Sequence, residues 1–375
     1  MKKKNKMTMR RGFVIATVLL VAALMVGGLV LGAYMTAQAV SSRKSEDERY
    51  NPRMYNYGPL RGATEAMTSA RGMATVEVST GRVLYTHNAD AKLAMASTTK
   101  VLTAIAVIEN VKDIDEPVKV HPKAIGIEGT SIYLQKDETL TVRELLLGLM
   151  LRSGNDAAQA LAFHVGGSAL AFAEIMNDTA KKAGATNSNF KNPHGLDEKE
   201  HYTTALDLAL ISAYAMRNPI FAEIVATKDA KISGVDYPRV LQNKNRLLRS
   251  NKNIVGVKTG FTSKAGRCFV GAMEKNGMTV VNVVLNCGPM FPESEAMMTR
   301  ALGEFYMHKV LSKDEIITPT YGGKNQRRAL VANDFYYPIR PTELAQLEII
   351  INEHDVVVLF GNKLVHQTQY IEVDN

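Results

Sequence analysis

Ser97 and Lys100 stand three residues apart at the head of a segment, Ser97 to Asn110, in which Val101, Leu102, Ile105, Ala106 and Ile108 recur at helical spacing. Residues at i and i+3 share a helical face, so the Lys100 amine falls within reach of the Ser97 hydroxyl. A neutral lysine there can take the serine proton and make the oxygen a nucleophile. Holding the amine neutral near pH 7 costs about 4 kcal/mol relative to a free lysine. Burial at the start of so apolar a helix, together with a second cation, can provide it.

A serine and a lysine at this spacing, taken alone, describe a solvated helix turn as well as a catalytic one. Two further motifs change the balance: Ser153-Gly154-Asn155 and Lys258-Thr259-Gly260. Lys258 is the expected second cation. Ser153 can pass a proton between Lys100 and a leaving amine, and Asn155 can hold a substrate amide. Thr259 and Lys258 can bind a carboxylate, while Gly260 leaves the sheet edge clear for an extended peptide.

The elements around these motifs follow from periodicity. Two short strands flank a glycine turn from Met73 onward, predicting a β-hairpin. Helical spacing runs from Thr141 to Val165, broken at Ser153-Gly154-Asn155, and resumes at Leu170 to Ala183 and Thr204 to Met216. Ile254 to Gly260, Arg267 to Met273 and Thr279 to Asn286 read as strands, followed by a closing helix from Ser294 to Leu311. Strands at both ends of a helical middle imply an antiparallel sheet covered by helices, with the first hairpin joining the last strands. From about Ile316 the apolar runs shorten into a small β domain.

The domain plan is therefore residues 1–40 as a signal-anchor or signal peptide, 41–66 as an extracytoplasmic linker, 67–314 as the catalytic domain and 315–375 as the β-rich domain. The formal net charge of +8 comes mostly from Lys2, Lys3, Lys4, Lys6, Arg10 and Arg11. A basic tail followed by an apolar run argues against a nucleic-acid surface. The uncharged run from Phe13 to Met35 is long enough for a membrane span, with its N-terminus inside. A cleavage signal at Ala37-Gln38-Ala39 is the alternative, and either way the body is expected outside the cytoplasm.

Cys268 and Cys287 flank the hairpin signal Asn276-Gly277. Counting outward sets Cys268 opposite Leu285 and Cys287 on a diagonal, so two free, buried thiols are expected. His194 and His201 lack a third ligand at a recognised spacing, so structural roles are expected for both and no metal or other cofactor. Arg152 is expected to be an ordinary charge, and the methionines core filler.

In order and spacing the three motifs resemble those of penicillin-binding proteins and class A β-lactamases, with Gly154 in place of the middle aspartate. From about Met73 to Leu311 the chain resembles the low-molecular-mass D-alanyl-D-alanine carboxypeptidases, including Asn192-Pro193-His194-Gly195-Leu196 and the run from Lys258 to Gly266. The resemblance implies an α/β (α+β) fold, a penicillin-binding or β-lactamase-like antiparallel sheet covered by helices. It also implies an oxyanion hole from the backbone N–H groups of Ser97 and Phe261. Ser97 would attack the penultimate D-alanine of a peptidoglycan stem peptide, and β-lactams would acylate the same serine.

Two departures stand out. Asn243-Lys244-Asn245 carries lysine where relatives often have arginine, giving charge without the bidentate fork. The C-terminal region is shorter than in many relatives, which end in an amphipathic anchor helix, so any tether is expected at the N-terminus. A β-lactamase, a D,D-endopeptidase and a catalytically silent cell-wall scaffold are the rival readings. The first needs a water-positioning glutamate, and no such motif follows Ser153. The last is opposed by the joint presence of Ser97, Lys100, Ser153, Asn155, Lys258 and Thr259.

Overall fold

A computed structural model describes residues 63–319, 328–352 and 355–373. The apolar run and most of the linker predicted before residue 63 lie outside the described residues. Among the described residues no single helix is long and apolar enough to cross a membrane.

Six strands form the main sheet, in the order Thr64–Glu65, Val83–His87, Gly72–Glu77, Met278–Leu285, Gly266–Lys275 and Ile254–Thr262. The first hairpin does join the last strands: Val281 lies opposite Val76 and Val283 opposite Ala74. Alternation along each strand divides the sheet's two faces. Ala74, Val76, Val281 and Val283 enter the larger core beneath the helices, whereas Met73, Val280 and Val284 pack with Phe269, Met298 and Phe305 on the other face. The helix Ala205–Met216 is apolar nearly all round and lies in the centre of the larger core.

The hairpin turn is set by Asn276 and Gly277, both at positive φ, +54° and +75°. Phe269 then pairs with Val284, a register that carries Cys268 to the level of Leu285. The two thiols are free and buried. They enter different cores, because Asn286 adopts φ +51° and turns Cys287 to the opposite face from Cys268.

The predicted closing helix spans Met290–Glu304 and stops short of Leu311. Tyr306–Leu311 is instead a strand, paired with Phe335–Ile339. Its burial follows no period of two, with Met307 and His308 both half-buried, so no alternation in the sequence marked it off from the helix before it. It leads into a four-stranded sheet in the order Ala329–Val331, Lys363–Glu372, Asp355–Phe360, Leu347–Ile351. Leu311, Phe335, Ile339, Val356 and Val358 form its core.

Arg82, buried at the end of the first hairpin, fastens this β module to the main sheet. It donates to Glu343 Oε1 at 2.9 Å and to the Pro338 carbonyl, and its guanidinium lies 4.3 Å from the Phe360 ring centre.

Candidate active site

Ser97 sits in a short 3-10 turn, Ala96–Thr99, that runs into the helix Lys100–Asn110. Ala96 holds φ +49°, a conformation costing of order 1 kcal/mol or more for a residue with a Cβ. Packing fixes it. A Cβ on Gly195 would stand 1.9 Å from the Ala96 carbonyl oxygen, so the Asn192–Leu196 loop can press on the turn only with glycine there. Asn192 Oδ1 accepts from the Gly195 N–H at 2.8 Å, and Thr103 donates to the Pro193 carbonyl at 2.7 Å.

Lys100 is fully buried, with Nζ 2.9 Å from Ser97 Oγ, 2.7 Å from Asn155 Oδ1 and 2.6 Å from the His194 carbonyl oxygen. Asn155 Nδ2 donates to the Glu128 carbonyl at 2.6 Å, which fixes the orientation of its amide. Two of the three neighbours of the lysine are thus pure acceptors. A neutral amine has two N–H donors and one lone pair; with both donors used, the lone pair points at Ser97 Oγ. Burial, then the charges of Lys258 and Lys244, hold Lys100 well below 10.5, against an opposing pull from Asp156.

The helix Val142–Leu147 begins with a capping box, Thr141 with Glu144, and continues as a π turn, Gly148–Arg152. That turn ends at Ser153, at φ +67°, before the helix Asn155–Gly166 begins. A Cβ on Gly154 would meet Asp156 Oδ1 at 2.8 Å, so the position held by aspartate in the resembling motif is here filled by a neighbour's carboxylate. Asp156 accepts from Ser131 Oγ at 2.6 Å and from the N–H groups of Ile132 and Leu134, both at 3.0 Å. This fixes the segment that brings Thr130 to the cleft.

Lys258 is also buried and donates to the Thr259 carbonyl at 3.0 Å. Burial first, then Lys244, pushes it down to about 7. Gly260 differs from its expected use. Its missing Cβ would point at the Ser97 turn, 3.0 Å from Met95 O and 3.1 Å from the Ser97 and Thr98 nitrogens. The glycine therefore lets the strand pack on the nucleophile's turn.

Ser97, Ser153, Thr259, Gly260 and Phe261 line one open cleft of roughly 380 Å³. Lys100, Asn155 and Lys258 lie behind its wall. Asn155, expected to hold a substrate amide, has both ends of its carboxamide engaged inside the protein and positions Lys100 instead. Lys244 also lines the cleft; its Nζ is 3.3 Å from Thr130 Oγ1, and burial followed by Arg152 lowers its basicity.

Thr130, Arg267, Met290 and Phe291 complete the lining. They belong to no motif, and no local spacing announces them. The two histidines hold structure. Lys191 N–H donates to His201 Nδ1 at 3.0 Å, so the ring proton sits on Nε2 and faces Thr99 Oγ1, also at 3.0 Å. Burial pushes His201 down to about 4, and burial together with Lys100 pushes His194 down to about 3.

Residues 61–288 match a family model described as D-alanyl-D-alanine carboxypeptidase. Over 275 residues the chain is 30% identical to the D-alanyl-D-alanine carboxypeptidase DacF of Bacillus subtilis, covering 71% of this chain and 70% of that protein. It is 31% identical over 215 residues to a D-alanyl-D-alanine endopeptidase of Escherichia coli, covering 56% of this chain and 69% of that one. Its fold is similar to crystal structures of penicillin binding protein 5 from Haemophilus influenzae, with a TM-score of 0.68 at 25% identity, over 84% of this chain and 99% of the other.

Proposed function

Because the chain belongs to the D-alanyl-D-alanine carboxypeptidase family of serine peptidases, we propose that it removes the terminal D-alanine of peptidoglycan stem peptides through an acyl-enzyme on Ser97. The observation that carries this reading is the buried Lys100 amine, 2.9 Å from Ser97 Oγ, with its other two directions occupied by acceptors.

In the first half-reaction Lys100 takes the Ser97 proton as Oγ bonds to the penultimate D-alanine carbonyl carbon. The oxyanion lies between the Ser97 and Phe261 N–H groups, where one donor is typically worth about 3–4 kcal/mol. The carbon–nitrogen bond then breaks, and the proton passes by way of Ser153 to the departing D-alanine amine. Lys244 and the Thr259 hydroxyl hold the terminal carboxylate. Lys258 contributes from behind, as the neighbouring cation that disfavours protonation of Lys100. Water, deprotonated by Lys100, releases the shortened stem in the second half-reaction.

The same serine is the expected target of β-lactams, which would leave a stable adduct. The uncharged Phe13 to Met35 run, preceded by lysines and arginines, supports a place on the extracytoplasmic face of the membrane, or secretion after cleavage. Salt-resistant sedimentation with membranes tests the anchored form.

Intact mass spectrometry with penicillin, and separately with a pentapeptide ending in D-Ala-D-Ala, tests the chemistry. The expected result is one adduct on Ser97 and loss of one alanine from the peptide. The similarity to an endopeptidase makes cross-linked stems the second substrate to assay, because the acyl chemistry is shared. An adduct with cleavage confined to the cross-linked substrate would favour that reading. Rapid release of hydrolysed penicillin would favour a β-lactamase.

A further inference from the structure

Tyr133 and Tyr237 are the most exposed aromatic side chains among the described residues, at 81% and 82%. Val235 and Val240, in the same hairpin as Tyr237, are exposed too, so the rings belong to an apolar patch and do not stand singly. Neither ring is loosely held. The Tyr133 N–H donates to Ser131 Oγ at 2.8 Å, and the N–H groups on either side of it, of Ile132 and Leu134, both donate to the Asp156 carboxylate. These bonds keep Tyr133 at φ +61°, a left-handed conformation unfavourable for a residue with a Cβ, with its ring in solvent. Tyr237 lies at the tip of the hairpin formed by the strands Asp229–Ile232 and Arg239–Gln242. Arg239 staples that hairpin to the Tyr133 loop. Its guanidinium donates to the Tyr133 carbonyl at 2.9 Å, to the Ser233 carbonyl at 2.7 Å and to the two Glu138 oxygens at 2.6 and 2.9 Å.

This patch continues the cleft. Thr130, close before Tyr133 in the chain, lines the cleft and meets Lys244 Nζ at 3.3 Å. In the proposed carboxypeptidase reading, on which this inference rests, that end of the cleft receives the terminal carboxylate. A free peptide stops there. In the wall polymer a neighbouring strand, or the second strand of a cross-link, continues past it.

The charge around the rings narrows what can lie on them. Asp137 is paired with Lys119 at 3.0 Å and Glu138 with Arg239 at 2.6 Å, which leaves Lys136, Lys231 and Asp236 as the unpaired charges nearest the rings in sequence. One net positive charge falls well short of the clusters of about four or more lysines and arginines that hold a chain to an anionic lipid surface. A tyrosine presents an apolar face with a hydroxyl at its rim. Two such rings, rigidly mounted and with little net charge around them, match an uncharged ligand that has flat C–H faces and polar groups at its edge. An N-acetylated amino sugar has that form.

We propose that Tyr133 and Tyr237 form a saccharide-binding platform, which holds an amino-sugar strand of the wall polymer on the side of the cleft from which D-alanine leaves. The platform favours stems carried in the polymer over free peptides, because a free peptide has nothing to place on it.

The test uses the full-length protein in detergent, beside a double variant Tyr133→Ala with Tyr237→Ala and a second, Tyr133→Phe with Tyr237→Phe, that keeps the rings. The readouts are turnover of a free pentapeptide ending in D-Ala-D-Ala, D-alanine release from purified peptidoglycan with pentapeptide stems, and sedimentation with chitin, an N-acetylglucosamine polymer without peptide. The alanine variant is expected to keep kcat/KM on the free peptide within about twofold, to release D-alanine from peptidoglycan about tenfold more slowly, and to lose sedimentation with chitin. The phenylalanine variant should keep most of both. A wild type that does not sediment with chitin, or an alanine variant as fast as the wild type on peptidoglycan, would overturn the inference. An equal loss on both substrates would also overturn it, because it marks a structural effect. A defect confined to protein reconstituted in lipid vesicles would overturn it in favour of a lipid contact. Turnover of neither substrate by the wild type would count against the Ser97 reading, while sedimentation with chitin would still decide the platform.

Discussion

The Lys100 amine approaches Ser97 Oγ to 2.9 Å from a position in which Asn155 Oδ1 and the His194 carbonyl already accept its protons. The lone pair of the neutral amine is aimed by these two acceptors, which come from elements distant in sequence. Asn155→Ala removes one of them and frees the amine to turn. Penicillin should still label Ser97, but with an acylation rate about 100-fold lower, as is typical when a catalytic group shifts by an ångström. Stopped-flow or timed mass spectrometry would detect it, and an unchanged rate would show that Asn155 does not orient the lysine.

Gly260→Ala places a methyl group against the backbone of Met95, Ser97 and Thr98, at 3.0 to 3.1 Å. Either the strand or the nucleophile's turn must move. A loss of about 1–3 kcal/mol in stability is expected, with acylation slowed far more than a stability change of that size explains. Urea titration and adduct formation, measured on the same sample, separate the two effects.

Lys258 supplies a pH dependence whose sign is fixed by its lowered basicity, about 7 in the folded chain against 10.5 for an ordinary lysine. Between those values the unfolded chain binds more protons, so stability rises with pH, by up to about 1.4 kcal/mol per pH unit. Lys258→Met abolishes this contribution. The stability of the wild type relative to that variant should climb by roughly 3 kcal/mol between pH 7 and pH 10. Denaturant midpoints across that range would measure it, and parallel curves for the two proteins would refute it.

Lys244→Arg offers a bidentate fork where the protein has a single ammonium group near Thr130. We expect KM for a D-Ala-D-Ala peptide to fall severalfold, with kcat altered less than about twofold. A change confined to kcat would move Lys244 from carboxylate binding to the acylation step.

Arg82→Ala leaves Glu343 with Arg340 as its remaining charged partner and opens a gap beside Phe305, Tyr337 and Phe360. Losing the buried side chain and one of the two ion pairs is expected to cost about 1–3 kcal/mol. Calorimetry should find a lower or divided melting transition, while the rate of penicillin acylation stays within about twofold, because Arg82 is absent from the cleft lining. A melting curve like that of the wild type would mean that the β module is held by other contacts.

Ser97, Lys100, Ser153, Asn155, Lys258, Thr259 and Gly260 were named from the sequence because a turn or one helical face brings each motif together within a few residues, and Phe261 from the family resemblance. Periodicity gave most of the longer helices and most of the main sheet for the same reason, since local backbone geometry repeats every 3.6 or 2 residues, but not the helix Pro219–Ala226. The turn chemistry of Asn276-Gly277 set the level of Cys268 but not the diagonal placement of Cys287, which Asn286 turns to the other face.

The direction in which a side chain points across the molecule was not legible. Asn155 lies 55 residues from Lys100, and the His194 carbonyl lies 94 away; only the packing of separate elements brings them to the amine. The same holds for Gly260, whose absent side chain makes room for the Ser97 turn, and for Arg267, Met290 and Phe291, which meet in the cleft without a shared motif. Tyr306–Leu311 became a strand because Phe335–Ile339 was there to pair with it. The sequence by itself determined which residues could do chemistry, through local spacing. The tertiary structure decided which lone pair faces which hydroxyl and what walls surround it, because those depend on which buried faces are satisfied together.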